Sequence, residues 1–313
     1  MMRRQEETFL SVLRRIQLQF KATPVKVLGC TKGREMACGV KVLTPDAGVR
    51  RAAVSVVLRL NENAATELLL IRRADNPQDK WSGDIALPGG KREAGESDLE
   101  AAVRETREEV GLDVIGGGFD LLGQLDDRMI NSGGKKKKMV ISVFIFGQRD
   151  GHPRPTLKIQ PGEVASAWWA PFEELEATPV TELSKPFRKF MRLPFPADTL
   201  VRDVLRCDQI FFSCLAVNPP SKVTKPEERE KFIMWGITLR VFSDLVHRVR
   251  GRQLLPGRTY RLGSKAADFV WFRILAPGGA SFATCSHRHI VYSVGAVAVA
   301  IGLLQLGSSG FWR

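Results

Sequence analysis

The apolar positions along the chain predict alternating strands and helices between residues 50 and 250. Runs rich in β-branched and leucine side chains at 52–60 and 67–71 indicate two strands, and the polar segment 61–63 indicates the turn between them. Further strands are predicted at 121–125, 140–146 and 164–170. Strands and helices mixed in this order are typical of an α/β domain.

The clearest helix is predicted from Asp98 to Val110. Ser97 is a good N-cap, and Glu100, three residues later, completes a capping box. Gly111 supplies the stop. A longer helix is predicted over 228–250, with one apolar face formed by Phe232, Trp235, Leu239, Phe242 and Val246.

The first twenty residues carry a helical apolar stripe made of Phe9, Leu13, Ile16 and Phe20. We expect an N-terminal extension over 1–49 whose amphipathic helix docks ahead of the domain. A mitochondrial presequence is the alternative, but Glu6 and Glu7 argue against it because such peptides are poor in acidic residues.

The composition is that of a globular protein, with 44% hydrophobic and 26% charged residues. The formal charge is +13, from 47 Lys and Arg against 34 Asp and Glu. A basic surface suits polyanions such as nucleotides, phosphorylated cofactors, nucleic acid or anionic lipid, without choosing among them. The five cysteines and four histidines form neither a zinc pattern nor a disulfide framework, so we expect a reducing compartment.

The end of the chain differs from the domain. A basic linker is predicted over 251–289, and 290–307 then carries no charge. As a helix this stretch would be ~27 Å long, close to the thickness of a bilayer core. With the aromatic pair Phe311-Trp312, residues 290–312 resemble a tail anchor, a C-terminal transmembrane helix holding the domain on the cytosolic face of an organelle membrane: mitochondrial, peroxisomal or ER. A helix packed on the domain, or a reading frame that runs past the true end, are the alternatives, with a location in the cytosol or mitochondrion.

The strongest pattern for chemistry is GKREAGESDLEAAVRETREEVGL at 90–112. Glu105, Glu108 and Glu109 fall at i, i+3 and i+4, so they share one face of the predicted helix. Crowded carboxylates repel each other, which is costly for a structural helix but suits Mg²⁺ or Mn²⁺, since these ions prefer oxygen ligands. A solvated acidic face laced with salt bridges would explain the helix alone, but not the glycines and Glu96 in register with it.

Residues 90–112 resemble the catalytic box of the Nudix hydrolase family at each fixed position, with Thr106 in one bulky apolar slot. The resemblance implies an α/β/α sandwich with a mixed sheet, and metal-dependent hydrolysis of a diphosphate linkage. It implies as metal ligands Glu105, Glu108, Glu109 and the backbone carbonyl of Gly90. The implied catalytic residues are Glu109, Glu108, Arg104 and Glu96, the last two as an orienting pair. Glu109 or Glu108 could orient the attacking water; Glu163 is a further candidate, although an ordinary edge glutamate is the preferred interpretation.

Upstream, LLIRRADNPQDKWSGDIALPGG at 69–90 resembles the extended motif of the coenzyme A diphosphatase branch of the family. This implies coenzyme A or acyl-CoA as substrate, giving 3′,5′-ADP and (acyl-)4′-phosphopantetheine. The implied substrate-binding residues are Arg72, Arg73, Gly83, Pro88 and Gly89. They could instead be strand-end charges and turn residues.

Some features keep other functions open. Gln78 stands where the branch has a second arginine, Leu87 replaces phenylalanine, and the spacing from Arg73 to Gly83 is one residue longer. Another nucleoside diphosphate derivative is therefore a second substrate class, and a non-catalytic binding module is a third interpretation, with nucleic acid disfavoured. Trp168, Trp169 and Trp235 could stack on a base but are more often core residues. The family also suggests a homodimer.

Overall fold

The computed structural model describes residues 9–10, 12–14, 27–29, 49–79, 81–131, 138–187, 199, 203, 205–220, 223, 227, 231–255 and 259–269. They form two sheets and four labelled helices. The strands of the first sheet are β1 (Val27–Gly29), β2 (Arg50–Leu60), β3 (Thr66–Arg73), β4 (Ile85–Ala86), β5 (Gly89–Lys91), β6 (Phe119–Asn131), β7 (Lys138–Gln148) and β8 (Val164–Pro171).

The first sheet is mixed, as predicted. Its order is β1-β6-β7-β2-β3-β4, with β5 paired to β2 and β8 paired to β3. The central pair β2 and β7 is parallel, and so are β1 and β6, whereas the other pairs are antiparallel. The predicted strands are confirmed, and the structure extends several of them at their ends.

Helices cover both faces of this sheet. On one face lies α1 (Asp98–Val110), whose Ala101, Ala102 and Val110 are fully buried against the sheet. The other face carries α2 (Phe172–Ala177) and α3 (Gly236–Arg250). The α/β class is therefore confirmed, because each face of the sheet buries apolar residues under a helical layer.

Helix α1 has the predicted limits because its caps are local. The Ser97 hydroxyl accepts a hydrogen bond from the Glu100 backbone N–H at 3.2 Å, and the Glu100 carboxylate accepts one from the Ser97 N–H at 2.6 Å. At the other end Gly111 adopts a left-handed conformation with φ of 70° and donates to the carbonyl of Arg107. These contacts satisfy helix-end groups that would otherwise lack partners.

The sequence did not predict the second sheet. It contains β9 (Thr181–Pro186), β10 (Gln209–Ala216), β11 (Ile233–Trp235) and β12 (Tyr260–Leu262), and all its pairings involve β10 and are antiparallel. A short helix, α4 (Lys265–Phe269), follows β12. Two predictions are corrected here. The long helix begins at Gly236 rather than at 228, because Ile233–Trp235 pairs with β10, and Phe232 precedes that strand. Part of the stretch predicted as a linker forms β12 and α4.

The N-terminal helix docks on the domain as predicted. Residues 9–10 and 12–14 are helical, and Phe9 is fully buried, its ring stacked on Phe172 at a centroid distance of 3.8 Å. The Leu10 backbone N–H donates to the Thr66 hydroxyl at 3.1 Å. Ile16 and Phe20 lie outside the described residues.

Two other predictions fall largely outside the described residues. Within the described part of the chain, no helix is both long enough and apolar enough to cross a membrane. The stretch 290–312 is not included there, so the tail anchor stays a prediction. Of the cysteines, Cys207 and Cys214 are buried free thiols; Cys30, Cys38 and Cys285 lie outside the described residues.

Candidate active site

Arg104 joins the glutamates of α1 to the loop before the helix. Its guanidinium donates to the Glu96 carboxylate at 2.8 and 3.1 Å and to the Lys91 carbonyl at 3.0 Å. The same guanidinium donates to Glu105 at 3.1 Å and to Glu108 at 2.9 Å. The hydrogen bonds from Arg104 hold the pKa of Glu96 below its usual range, and the bond to Glu96 raises the pKa of Arg104. The predicted pairing of Arg104 with carboxylates is confirmed.

Two glycines of β5 face the glutamates directly. The Gly89 N–H donates to the Glu109 carboxylate at 2.8 Å. A Cβ added at Gly90 would lie 2.5 Å from the carboxyl carbon of Glu105, so the Glu105 carboxylate is packed against this backbone. Gly89 has a φ of 146°, and a Cβ there would lie 2.3 Å from the Ala53 carbonyl of β2. Larger residues do not fit at either position.

Burial disfavours negative charge on the acidic face, the side of α1 that carries Glu105, Glu108 and Glu109. Glu109 is only 3% exposed, and this burial raises its pKa to about 8. Burial also raises the pKa of Glu105, against the opposing effect of Arg104. Glu163 adds to both shifts through its charge, whereas Arg73 lowers the pKa of Glu109. A positive ion at this face would relieve the repulsion.

The donor atoms here are of the types that a hard divalent cation prefers. The Glu105 and Glu109 carboxylates lie against the β5 backbone, and carboxylate and carbonyl oxygens are ligands of Mg²⁺ and Mn²⁺. Within the described residues, however, no three Asp, Glu, His or Cys side chains form a group that could hold a metal ion. Arg104 donates to both Glu105 and Glu108, and 54% of the Glu108 side chain is accessible.

The two arginines predicted to bind substrate point in different directions. Strand alternation puts Arg72 with Leu70 and Trp168, away from α1, and Arg73 with Ile71 on the α1 side. The charge of Arg73 acts on Glu109 in agreement with this, and its guanidinium pairs with Asp79 at 2.7 Å. The structure therefore brings Arg73, but not Arg72, toward the acidic face.

The remaining predicted positions are turn and strand-end residues. Gly83, with a φ of 74°, lies beside the ion pair that Arg72 makes with Asp75 at 3.0 Å. The Pro88 carbonyl accepts the Ser55 N–H at 2.8 Å, which continues the approach of β5 to β2. The structural interpretation of these residues is therefore supported, while their contact with substrate stays a prediction.

Sequence reasoning singled out Trp235, which is buried, but missed the aromatic residues around it at the second sheet. Trp81 is 40% exposed and its ring centroid lies 5.7 Å from that of Trp235. The indole N–H of Trp235 donates to the Asp84 carboxylate at 3.1 Å, and burial raises the pKa of Asp84. An aromatic residue among polar neighbours was the available signal for Trp81. Of the two tryptophans of β8, Trp168 is a core residue, and Trp169 is covered by the Arg59 guanidinium 4.2 Å from its ring centroid.

Comparison with known proteins identifies the family. Residues 49–193 match the model of the NUDIX domain. An uncharacterized protein of Schizosaccharomyces pombe is 31% identical over 224 residues, which cover 65% of this chain and 67% of that protein. The ADP-ribose pyrophosphatase of Methanocaldococcus jannaschii is 52% identical over 46 residues, which cover 15% of this chain and only 25% of that enzyme.

Solved structures similar to this chain include Nudix proteins. An Ap4A hydrolase of C. elegans in a binary complex aligns at 19% identity with a TM-score of 0.31, covering 40% of this chain and 82% of that one. The NUDIX domain of Shewanella oneidensis NrtR, crystallised with ADP ribose, aligns at 19% identity with a TM-score of 0.33, covering 42% of this chain and 78% of that one. On the domain match and the yeast relative, the chain belongs to the Nudix family and is a Nudix hydrolase.

Proposed function

We propose that this Nudix hydrolase cleaves the diphosphate of coenzyme A or acyl-CoA, giving 3′,5′-ADP and (acyl-)4′-phosphopantetheine. The observation that carries the proposal is Arg73. It belongs to the motif at 69–90 that resembles the coenzyme A diphosphatase branch, and its charge acts on Glu109 of the catalytic box. An arginine there could pair with a phosphate of the substrate while the carboxylates hold a cation.

Nudix hydrolases generally use divalent metal ions, and we assign the ion here to Glu105, Glu108, Glu109 and the Gly90 carbonyl. When bound, such an ion would neutralise charge on the diphosphate and make an attacking water more acidic. Glu109 or Glu108 would orient that water, with Glu163 as a further candidate for the base. The proposed ion is Mg²⁺ or Mn²⁺.

Arg104 is suited to hold this site in place while its contacts change. Three of its hydrogen bonds go to Glu96 and the Lys91 carbonyl, which are not proposed ligands. Glu105 and Glu108 can therefore exchange Arg104 for an ion without leaving the guanidinium unpaired. This gives Glu96 and Arg104 a positioning role.

A second candidate is another nucleoside diphosphate derivative, such as ADP-ribose. The local identity of 52% to an ADP-ribose pyrophosphatase favours it, although the match covers 46 residues. Gln78, in place of the second arginine of the coenzyme A motif, also favours it because a phosphate partner is lost.

The test is a product assay on the full chain. The protein is incubated with coenzyme A or with ADP-ribose in the presence of Mg²⁺ or Mn²⁺, and products are identified by mass spectrometry. Glu109→Gln should abolish cleavage. Glu100→Gln is the matched control, since it makes the same change on the same helix and glutamine also completes a capping box.

The outcomes separate the candidates. Formation of 3′,5′-ADP and 4′-phosphopantetheine by the wild type and Glu100→Gln, but not by Glu109→Gln, supports the proposal. Cleavage of ADP-ribose without cleavage of coenzyme A overturns it in favour of the second candidate. Cleavage of neither substrate contradicts both coenzyme A and ADP-ribose as the substrate.

A further inference from the structure

One side of the second sheet carries four aromatic rings and a lysine. We call Trp81, Lys185, Phe212, Trp235 and Tyr260 the aromatic face. The ring centroids of Phe212 and Trp235 are 5.1 Å apart, and those of Phe212 and Tyr260 are 6.1 Å apart. The Lys185 ammonium lies 5.4 Å from the Trp235 centroid. Trp81 reaches this face from the loop before β4.

The aromatic face adjoins the proposed catalytic site through two residues. Trp235 donates to the Asp84 carboxylate at 3.1 Å, and the Asp84 carbonyl accepts the Arg73 N–H at 3.0 Å. The charge of Arg73 acts on Asp84 as well as on Glu109. A molecule contacting both the acidic face and the aromatic face would therefore pass Arg73, whose guanidinium suits a phosphate.

The two sides of the second sheet differ in what covers them. On the opposite side, Leu215 and Met234 are fully buried in the core with α3, and the Arg261 guanidinium lies 4.0 Å from the ring centroid of Phe211. On the aromatic face, Trp235 is buried, whereas Trp81 is 40% exposed and Phe212, Tyr260 and Lys185 are half-buried. The accessible ring surface on this face therefore belongs to Trp81, Phe212 and Tyr260.

We propose that the aromatic face binds the nucleobase half of the diphosphate substrate. A planar base stacks on aromatic rings through its π face, whereas a flexible amide chain such as pantetheine gains little from them. Lys185 would supply positive charge for phosphate groups on the same nucleoside. The inference rests on the proposed hydrolysis of a nucleoside diphosphate derivative, but not on coenzyme A being the one cleaved.

Direct binding to the two halves of coenzyme A tests this. Isothermal titration calorimetry on the full chain measures affinity for 3′,5′-ADP and, separately, for 4′-phosphopantetheine. Trp81→Ala removes an exposed ring and should keep the fold. We expect this variant to bind 3′,5′-ADP at least about fivefold more weakly than the wild type. Phe211→Ala is the matched control, because it removes a ring from the opposite side of β10. Lys185→Ala is the second test variant and should also weaken 3′,5′-ADP.

The results expected are unchanged 4′-phosphopantetheine affinity in all variants and loss of 3′,5′-ADP affinity in Trp81→Ala and Lys185→Ala alone. Equal 3′,5′-ADP affinities in Trp81→Ala, Lys185→Ala and Phe211→Ala overturn the inference, as does a loss confined to 4′-phosphopantetheine. If 3′,5′-ADP binds through Trp81 while coenzyme A is not cleaved, the proposed substrate fails and the aromatic face stands. If coenzyme A is cleaved with the same KM by wild type and Trp81→Ala, the proposed substrate stands and the aromatic face fails as the base-binding site.

Discussion

The acidic face of α1 and the aromatic face of the second sheet are built in opposite ways. The acidic face comes almost entirely from one continuous stretch, in which β5, the loop with Glu96 and α1 follow each other within residues 89–110. The aromatic face collects its residues from β9, β10, β11, β12 and the loop before β4. The first is therefore defined by local spacing, and the second by long-range strand pairing.

The two faces also differ in their energetics. At the acidic face, burial raises the pKa values of Glu105 and Glu109, so the ionised site opposes folding. The aromatic face is held by ring packing and by the hydrogen bond from Trp235 to Asp84. Such a contrast is expected where one region stores unfavourable charge for binding an ion while the other provides packing area.

The largest effect is expected at Glu109. Its pKa of about 8 lies above the ordinary 4.5, so the folded chain keeps a proton that the unfolded chain loses between these values. Stability should therefore fall as pH rises from 4.5 to 8, and the whole penalty remains above pH 8. Glu109→Gln removes the penalty: in the absence of metal it should be more stable than wild type at pH 8, by a few kcal/mol, while losing activity by about 10²–10⁴-fold.

Urea unfolding of both proteins with a chelator, at pH 5 and pH 8, measures this difference. Glu100→Gln is again the control, and its stability should follow the wild-type pH dependence. Equal pH dependence in wild type and Glu109→Gln would show that burial of Glu109 does not oppose folding.

A second prediction concerns the close approach of β5 to α1. In Gly90→Ala the added Cβ would lie 2.5 Å from the carboxyl carbon of Glu105 and displace it. We expect a loss of metal-dependent activity of about 10–100-fold, similar to the effect of disturbing groups that orient a ligand. Gly162→Ala is a control whose methyl would meet only the flexible Gln160 side chain, 3.1 Å away. Steady-state kinetics over a range of metal concentrations, with circular dichroism to check the fold, would show whether activity is lost through the site; retained activity in Gly90→Ala contradicts the placement of Glu105.

Helix α1 and the second sheet illustrate what the sequence can and cannot predict. The limits of helix α1 follow from Ser97, Glu100 and Gly111, because each of them makes its capping hydrogen bond with a residue three or four positions away in the chain. The second sheet could not be predicted in the same way, since β11 and β12 have three residues each and find their partner β10 only through tertiary contacts. Likewise, the pairing of β3 with β8 shifts register between Arg72 and Arg73, which no spacing in the sequence indicates.

A third, smaller effect is expected where the second sheet meets the first. Trp235→Phe keeps a ring on the aromatic face but removes the indole N–H, which donates a hydrogen bond to the Asp84 carboxylate at 3.1 Å. A largely buried carboxylate then loses a donor, and we expect a loss of about 1–3 kcal/mol of stability. Thermal unfolding measures it, and Asp84→Asn in the same background should recover part of the loss because the amide is neutral. No loss in Trp235→Phe would mean that Asp84 does not depend on this contact.

The smallest effect is expected on the buried side of α1, behind the acidic face. The Thr106 hydroxyl is 2.7 Å from the Ala102 carbonyl and 2.7 Å from the Ser55 hydroxyl, which itself lies 3.2 Å from the same carbonyl. Thr106→Val keeps the shape and removes one hydroxyl, so we expect a loss of about 1 kcal/mol. Ser55 can still donate to Ala102, which limits the loss.

The double variant Ser55→Ala with Thr106→Val should cost less than the sum of the two single changes, because it leaves neither hydroxyl to be satisfied. Denaturant unfolding of the four proteins gives this coupling. Activity should stay within about twofold of wild type throughout, since Thr106 adjoins Glu105 in sequence but lies on the other side of the helix, fully buried. A fall in kcat parallel to the fall in stability would instead show that the geometry of the acidic face depends on how α1 packs against β2. The local sequence of α1 would then not define the acidic face alone.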